Sequence, residues 1–158
     1  MENKLMTLVK QMHQKFNLEN NTGPQFLDNE EKQFRVKALR EEIDEYESSD
    51  DLVDEFDALI DLLVFTVGTF ERHGFPMEKG FEIVMRKNMQ KELGQNGNKR
   101  GGFKRDLVKP ANWVGPEQEL AQLLSEYAFG ESSDNQDWDC EFNPTFDVTK
   151  NVTTTSNQ

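Results

Sequence analysis

Between Glu41 and Asp61 the chain carries eleven carboxylates and no Lys, Arg or His, set within two helical periodicities that only Ser48, Ser49 and Asp50 separate. A connection that short joins antiparallel neighbours, so the two helices must face one another along an acidic groove. Carboxylates on a solvated face need no special explanation, and that reading suits Glu41, Asp44, Glu47, Asp50, Asp51 and Glu55. The others are harder to place. From Phe56 to Val67 the sequence FDALIDLLVFTV is apolar on nearly every side except at Asp57 and Asp61, which predicts a helix central to its bundle. Asp57 and Asp61 stand one turn apart on that helix, and Asp54 extends the same stripe. Buried together without a cation they would be costly, because desolvation and like charge both oppose ionisation. On the preceding helix Glu42 and Glu45 also share a face, and the antiparallel connection sets them opposite Asp57 and Asp61. Four carboxylates on one groove form an oxygen-only donor set, which suits a hard cation such as Mg2+ or Mn2+ rather than a thiophilic metal. The alternative is that they cap helices or pair with Lys and Arg elsewhere in the bundle.

The remaining periodicities predict an all-α fold. Leu5, Leu8, Val9, Met12 and Phe16 mark a first helix near residues 3–16, broken between Asn17 and Pro24. A second helix runs from about Glu30 to Tyr46, with Asp28 or Asn29 as its N-cap. The third, about Asp51 to Arg72, ends at His73 and Gly74, and Pro76 opens a fourth that extends to about Leu93. Four glycines and two basic residues between Gly94 and Gly102 read as a flexible basic loop or a short hairpin. A last short helix is possible from Gln118 to Tyr127. Four main helices with short connections make a four-helix bundle, with one helical domain over residues 1–128. An acidic tail over 129–158, rich in Ser, Asp, Asn and Thr, is expected to be disordered.

A net charge of −12 excludes a general binder of nucleic acid or anionic membrane. Cys140 is the one cysteine, so neither an intrachain disulfide nor a thiolate zinc site can form, and a reducing compartment is the natural setting. With no signal-peptide core and no membrane-spanning run, the protein is expected in the cytoplasm. A central helix that is apolar almost all round needs more cover than one small bundle provides, which predicts a homodimer or homotetramer.

Three stretches carry a family resemblance: R-x-x-x-L-R-E-E-I-D-E-Y, then D-L-V-D-E-F-D-A-L-I-D-L-L-V-F-T-V-G-T, then H-G-F-P-M-E-K-G-F-E-I-V-M-R-K-N-M-Q-K. They resemble the all-α nucleoside triphosphate pyrophosphohydrolases, the MazG-like enzymes with the phosphoribosyl-ATP pyrophosphohydrolases and dimeric dUTPases. The likeness is to the short single-domain form common in bacteria and bacteriophages, and it covers about residues 5–93, more weakly to about 117. The family's metal motif is E-x-x-E on one helix and E-x-x-D on the next. Glu42 and Glu45 match the first pair and Asp61 the last position, whereas Ala58 stands where the third carboxylate belongs. Asp57 substitutes one position earlier, with Asp54 in reserve, and the number of bound ions stays open.

The resemblance implies hydrolysis of a (deoxy)nucleoside triphosphate between its α and β phosphorus atoms, with Mg2+ as cofactor and Mn2+ as a possible substitute. Glu45, or else Glu42, would take the proton of the attacking water. R-K-N-M-Q-K looks like the family's N-M-x-K signature, which implies phosphate contacts from Arg86, Lys87 and Lys91 and a sugar or base contact from Asn88. The same cations could simply meet the helix dipole. Lys99, Arg100, Lys104, Arg105 and Lys109 form either a lid over the triphosphate or a solvated loop, and Arg35 and Lys37 either touch nucleotide or lie on the helix surface. Trp113 reads as an anchor that docks the chain onto the bundle, and His13 and His73 as surface or capping residues. Trp138, Phe142 and Phe146 are spaced through the acidic tail as a partner-binding segment, a segment that docks back, or neither. Two further readings stand beside the enzyme: a non-catalytic helical interaction protein, kept open by Ala58, and a charge mimic of nucleic acid.

Overall fold

The computed structural model describes residues 4–95, 97 and 99–129. Among these the order is α1 (Lys4–Lys15), α2 (Asn29–Ser48), α3 (Leu52–His73), α4 (Met77–Asn88), β1 (Glu92–Gly94), β2 (Asp106–Val108) and α5 (Glu117–Ala128), with a 3-10 turn at Lys99–Gly102 between the strands. The protein is therefore mostly helical, as the periodicities predict, with a two-stranded sheet that the all-α reading omits. The fourth helix stops at Asn88 rather than near Leu93, because the N–H groups of Gln90 and Lys91 turn back to the carbonyls of Lys87 and Asn88 and the chain enters β1. Of the two readings of the glycine-rich stretch the hairpin holds: Leu93 pairs with Leu107 in an antiparallel ribbon. The predicted tail lies, beyond Phe129, outside the described residues, and Trp138, Cys140, Phe142 and Phe146 lie there with it.

Side-chain caps fix the ends of the central helices. The Asp28 carboxylate accepts from the Glu31 N–H (2.8 Å) at the start of α2, and Asp51 accepts from Val53 and Asp54 (2.7 and 3.0 Å) at the start of α3. Gly74 closes α3 in the left-handed region at φ 68°, where a Cβ would also run into the Gly23 carbonyl oxygen, so two separate constraints require glycine there.

α2 and α3 form the principal antiparallel pair; α1 packs on α3, and α4 on α5. The register of the α2–α3 pair follows from three contacts. Glu31 near the start of α2 accepts two hydrogen bonds from Arg72 at the end of α3 (2.6 and 2.7 Å). One turn further along, Arg35 lies over Gly68, where a Cβ would stand 3.2 Å from both Arg35 Nη1 and His13 Nε2. Near the connection, Glu42 lies within the fields of Asp61 and Asp57. α1 covers the same end as Arg35: Val9 and His13 are buried, and Lys10 reaches Glu71 at 3.8 Å.

Three expectations change at this point. His13 is not a surface residue; it is 2 % exposed, with Nδ1 paired to Asn20 Oδ1 at 2.7 Å. Arg35 is not helix surface, since it is buried between Gly68 and Glu31. The third helix is covered along only part of its length. Val67, Gly68 and Glu71 are buried, but Leu52 and Phe56 are 82 % and 67 % exposed, and Val53, Leu59, Ile60 and Leu63 are exposed with them. No helix among the described residues is long and apolar enough to cross a membrane.

Candidate active site

Arg35, Ala38 and Glu42 are the buried positions of α2 and share the face turned to α3. At Glu42 that face carries a carboxyl group only 9 % exposed, and its Oε2 is buried with no hydrogen-bond partner. Burial pushes its pKa above the ordinary carboxylate value, and the negative charges of Glu45, Asp61, Glu41 and Asp57 push it further. The structure thus gathers the four carboxylates singled out from the sequence into one field, centred on Glu42. It also corrects their burial. Asp57 and Asp61 are exposed, as are Glu45 and Asp54, and the buried position on this part of α3 is Ala58. The desolvation cost expected at Asp57 and Asp61 falls on Glu42, because among the described residues the first half of α3 is left largely exposed.

The proposed cage is not closed. Among the described residues no three His, Cys, Asp or Glu side chains converge into a set that could hold a metal ion as they stand. The pairing alternative fares no better, since no Lys or Arg of the described residues forms an ion pair with Glu42, Glu45, Asp57 or Asp61, while Lys37 goes to Glu41 at 3.6 Å. An unpartnered buried oxygen, in the field of exposed carboxylates without a counter-ion among the described residues, fits a hard divalent cation.

The candidate cations form a second cluster. Arg86 and Lys87 occupy the last turn of α4, Asn88 ends it, and Lys91 follows in the turn, where its Nζ donates to Asn88 Oδ1 at 2.7 Å. Trp113 anchors this end as expected, its Nε1 donating to the Lys87 carbonyl at 3.0 Å, and Lys91 and Lys109 lie over its ring. Arg86 and Lys87 already have a counter-ion that sequence reasoning missed: Glu119 of α5 pairs with Arg86 and, at 2.9 Å, with Lys87. These two cations, Arg86 foremost, hold the Glu119 carboxyl down to about 2. Nothing local in the sequence signals a partnership over that separation; the only hint is that Glu119 stands in the first turn of a helix, where acidic residues are favoured. α4 packs chiefly on α5, and the hydrogen bonds and ion pairs of these candidates among the described residues run to Glu119, Asn88 and Trp113 rather than to the carboxylate groove. Of the basic loop, Arg100 is held by Asp106 at 2.6 Å, and Lys104, Arg105 and Lys109 are exposed. A cleft of about 430 Å3 lies elsewhere, between α1 and the start of α4, and is lined by Lys10, Glu71, Phe75, Met77 and Tyr127 but by none of these candidates.

Residues 9–88 match the family model of the phosphoribosyl-ATP pyrophosphohydrolases. The chain belongs to this family. The match runs from within α1 to the last residue of α4, so it takes in both carboxylate pairs and Arg86, Lys87 and Asn88, whereas Lys91, the hairpin and α5 lie beyond it. The phosphoribosyl-ATP pyrophosphohydrolases fall within the MazG-like nucleoside triphosphate pyrophosphohydrolase superfamily, in agreement with the resemblance drawn from the helix motifs. No curated protein matches the chain.

Proposed function

We propose that this protein hydrolyses (deoxy)nucleoside triphosphates at the α–β bond, releasing the monophosphate and pyrophosphate and so trimming or cleansing a nucleotide pool. One observation carries the reading: in a pyrophosphohydrolase family, Glu42 presents a buried oxygen without a partner in the field of Glu45, Asp57 and Asp61. Glu42, Glu45, Asp57 and Asp61, with Asp54 in reserve, would hold Mg2+, or Mn2+ in its place. Such an ion screens phosphate charge and acidifies a bound water. Glu45 is the better proton acceptor of its pair, because it is exposed and free to meet water while Glu42 is locked into the helix interface. Arg86, Lys87 and Lys91 bind phosphate oxygens and Asn88 the sugar or base, with Arg86 and Lys87 exchanging Glu119 for the ligand.

The half of α3 that the described residues leave exposed, and the packing of the cation-bearing α4 chiefly on α5, support a homodimer or homotetramer as the working form. The rival reading, a helical interaction protein without catalysis, rests on Ala58. Pyrophosphate release from a panel of ribo- and deoxynucleoside triphosphates with Mg2+ or Mn2+, beside the Asp61→Asn and Glu45→Gln variants, separates the two. Release that both substitutions abolish supports the hydrolase; folded protein that releases none from any nucleotide overturns it.

A further inference from the structure

Leu93 and Leu107 are cross-strand partners in the β1–β2 ribbon, so their side chains share one face, and both are exposed. The other face turns inward, with Asp106 buried and Val108 against Gly94. Arg105 and Lys109 flank β2 on either side and both are exposed, with Lys109 Nζ over the Trp113 ring. Phe103, Met89 and Val114 add exposed apolar surface in the same part of the chain. A two-stranded ribbon is marginal by itself, and an apolar pair flanked by cations suits a cover that is both apolar and anionic.

We propose that this face is the docking surface for the chain's own segment 131–147, with Trp138, Phe142 and Phe146 against Leu93 and Leu107 and its carboxylates against Lys104, Arg105 and Lys109. Charge complementarity carries the argument. Eight of the chain's 18 Lys and Arg lie between Arg86 and Lys109, accompanied there only by Glu92 and Asp106. Segment 131–147 holds six carboxylates, three of the chain's aromatic residues and no Lys or Arg. In a chain of net charge −12 the ribbon is where such a segment is attracted rather than repelled. The reach is sufficient. α5 runs back along α4, with Glu119 at Arg86 and Tyr127 beneath Lys79, so the chain leaves α5 about 18 Å from the ribbon end of α4. The eight residues 130–137 span about 26 Å when extended. The inference is independent of the hydrolase reading.

Cys140 is the one cysteine, so a nitroxide on its thiol marks the segment in the full-length chain without any other change. The expected result is paramagnetic loss of the amide signals of Leu93, Phe103 and Leu107 at low salt. Those signals return near 1 M salt, where the Debye length falls to about 3 Å. They also return in a Lys104→Glu/Arg105→Glu variant. An Asp137→Asn/Asp139→Asn/Glu141→Gln variant, altered only outside residues 4–129, gives the same release and guards against misfolding of the ribbon. Ribbon signals that stay at full strength at low salt overturn the proposal. So does broadening centred on the α1–α4 cleft, or broadening that neither salt nor the charge variants relieve.

Discussion

The two halves of α3 have similar apolar content and very different surroundings. The C-terminal half is enclosed by α1 and α2, with Val67, Gly68 and Glu71 buried and Arg72 clasped by Glu31. The N-terminal half carries Leu52, Val53 and Phe56 into solvent, and its groove toward α2 holds carboxylates. One half is stabilised by contacts within the chain; the other exposes apolar side chains beside carboxylates that have no counter-ion among the described residues. An all-round apolar helix therefore does not mark the centre of a single chain. It marks a segment that the described residues leave largely uncovered, which is where the proposed second copy would sit.

Substitutions can break that contrast or sharpen it. The largest effect is expected at the groove, where Glu42→Gln lowers pyrophosphate release by about a hundredfold or more while the melting temperature holds or rises, because an unpartnered buried charge has been removed. A drop in stability instead would assign Glu42 a purely structural role. Next, Leu52→Glu/Phe56→Glu yields monomers by sedimentation, at about 2 kcal/mol or more of association energy for a buried aromatic; an unchanged sedimentation coefficient would show that this surface stays bare.

In the C-terminal half, Glu31→Gln costs about 1.5–3 kcal/mol by urea unfolding at neutral pH, as the charged bonds to Arg72 weaken. The sign with pH is fixed. Arg72 holds the Glu31 carboxyl below its ordinary value of 4.5, so the contribution is complete above that value and disappears as pH falls through the lower folded one. The gap between variant and parent closes in acid. The smallest change is Asp51→Ala, which removes the cap of the exposed half for about 0.5–2 kcal/mol and is measured by the same unfolding curves.

Much of this was legible in advance. The cap at Asp28, the start of α3 at about Asp51, the stop at Gly74, the short turn at Ser48 and the anchor at Trp113 each depend on neighbours close in sequence or on one strong side-chain preference. Glu42, Glu45, Asp57 and Asp61 could be set on facing helices because the turn between them fixes direction and register. Burial was not legible, since it depends on what else covers a face: Asp57 and Asp61 stay wet, and His13 and Arg35 do not. The pairs Glu31–Arg72 and Glu119 with Arg86 and Lys87 join residues far apart in the chain, and periodicity carries no information about them. The ribbon was half visible, because its glycines marked a turn while its three-residue strands are too short for alternation to register.

The Glu31–Arg72 clasp has a mechanical consequence for the groove. It ties one end of the α2–α3 pair, and the Ser48–Asp51 connection ties the other, so the carboxylates between them act on a beam fixed at both ends. Their mutual repulsion cannot be relaxed by splaying the helices. It is met instead by solvent at the exposed side chains of Glu45, Asp57 and Asp61, while Glu42 stays at the helix interface.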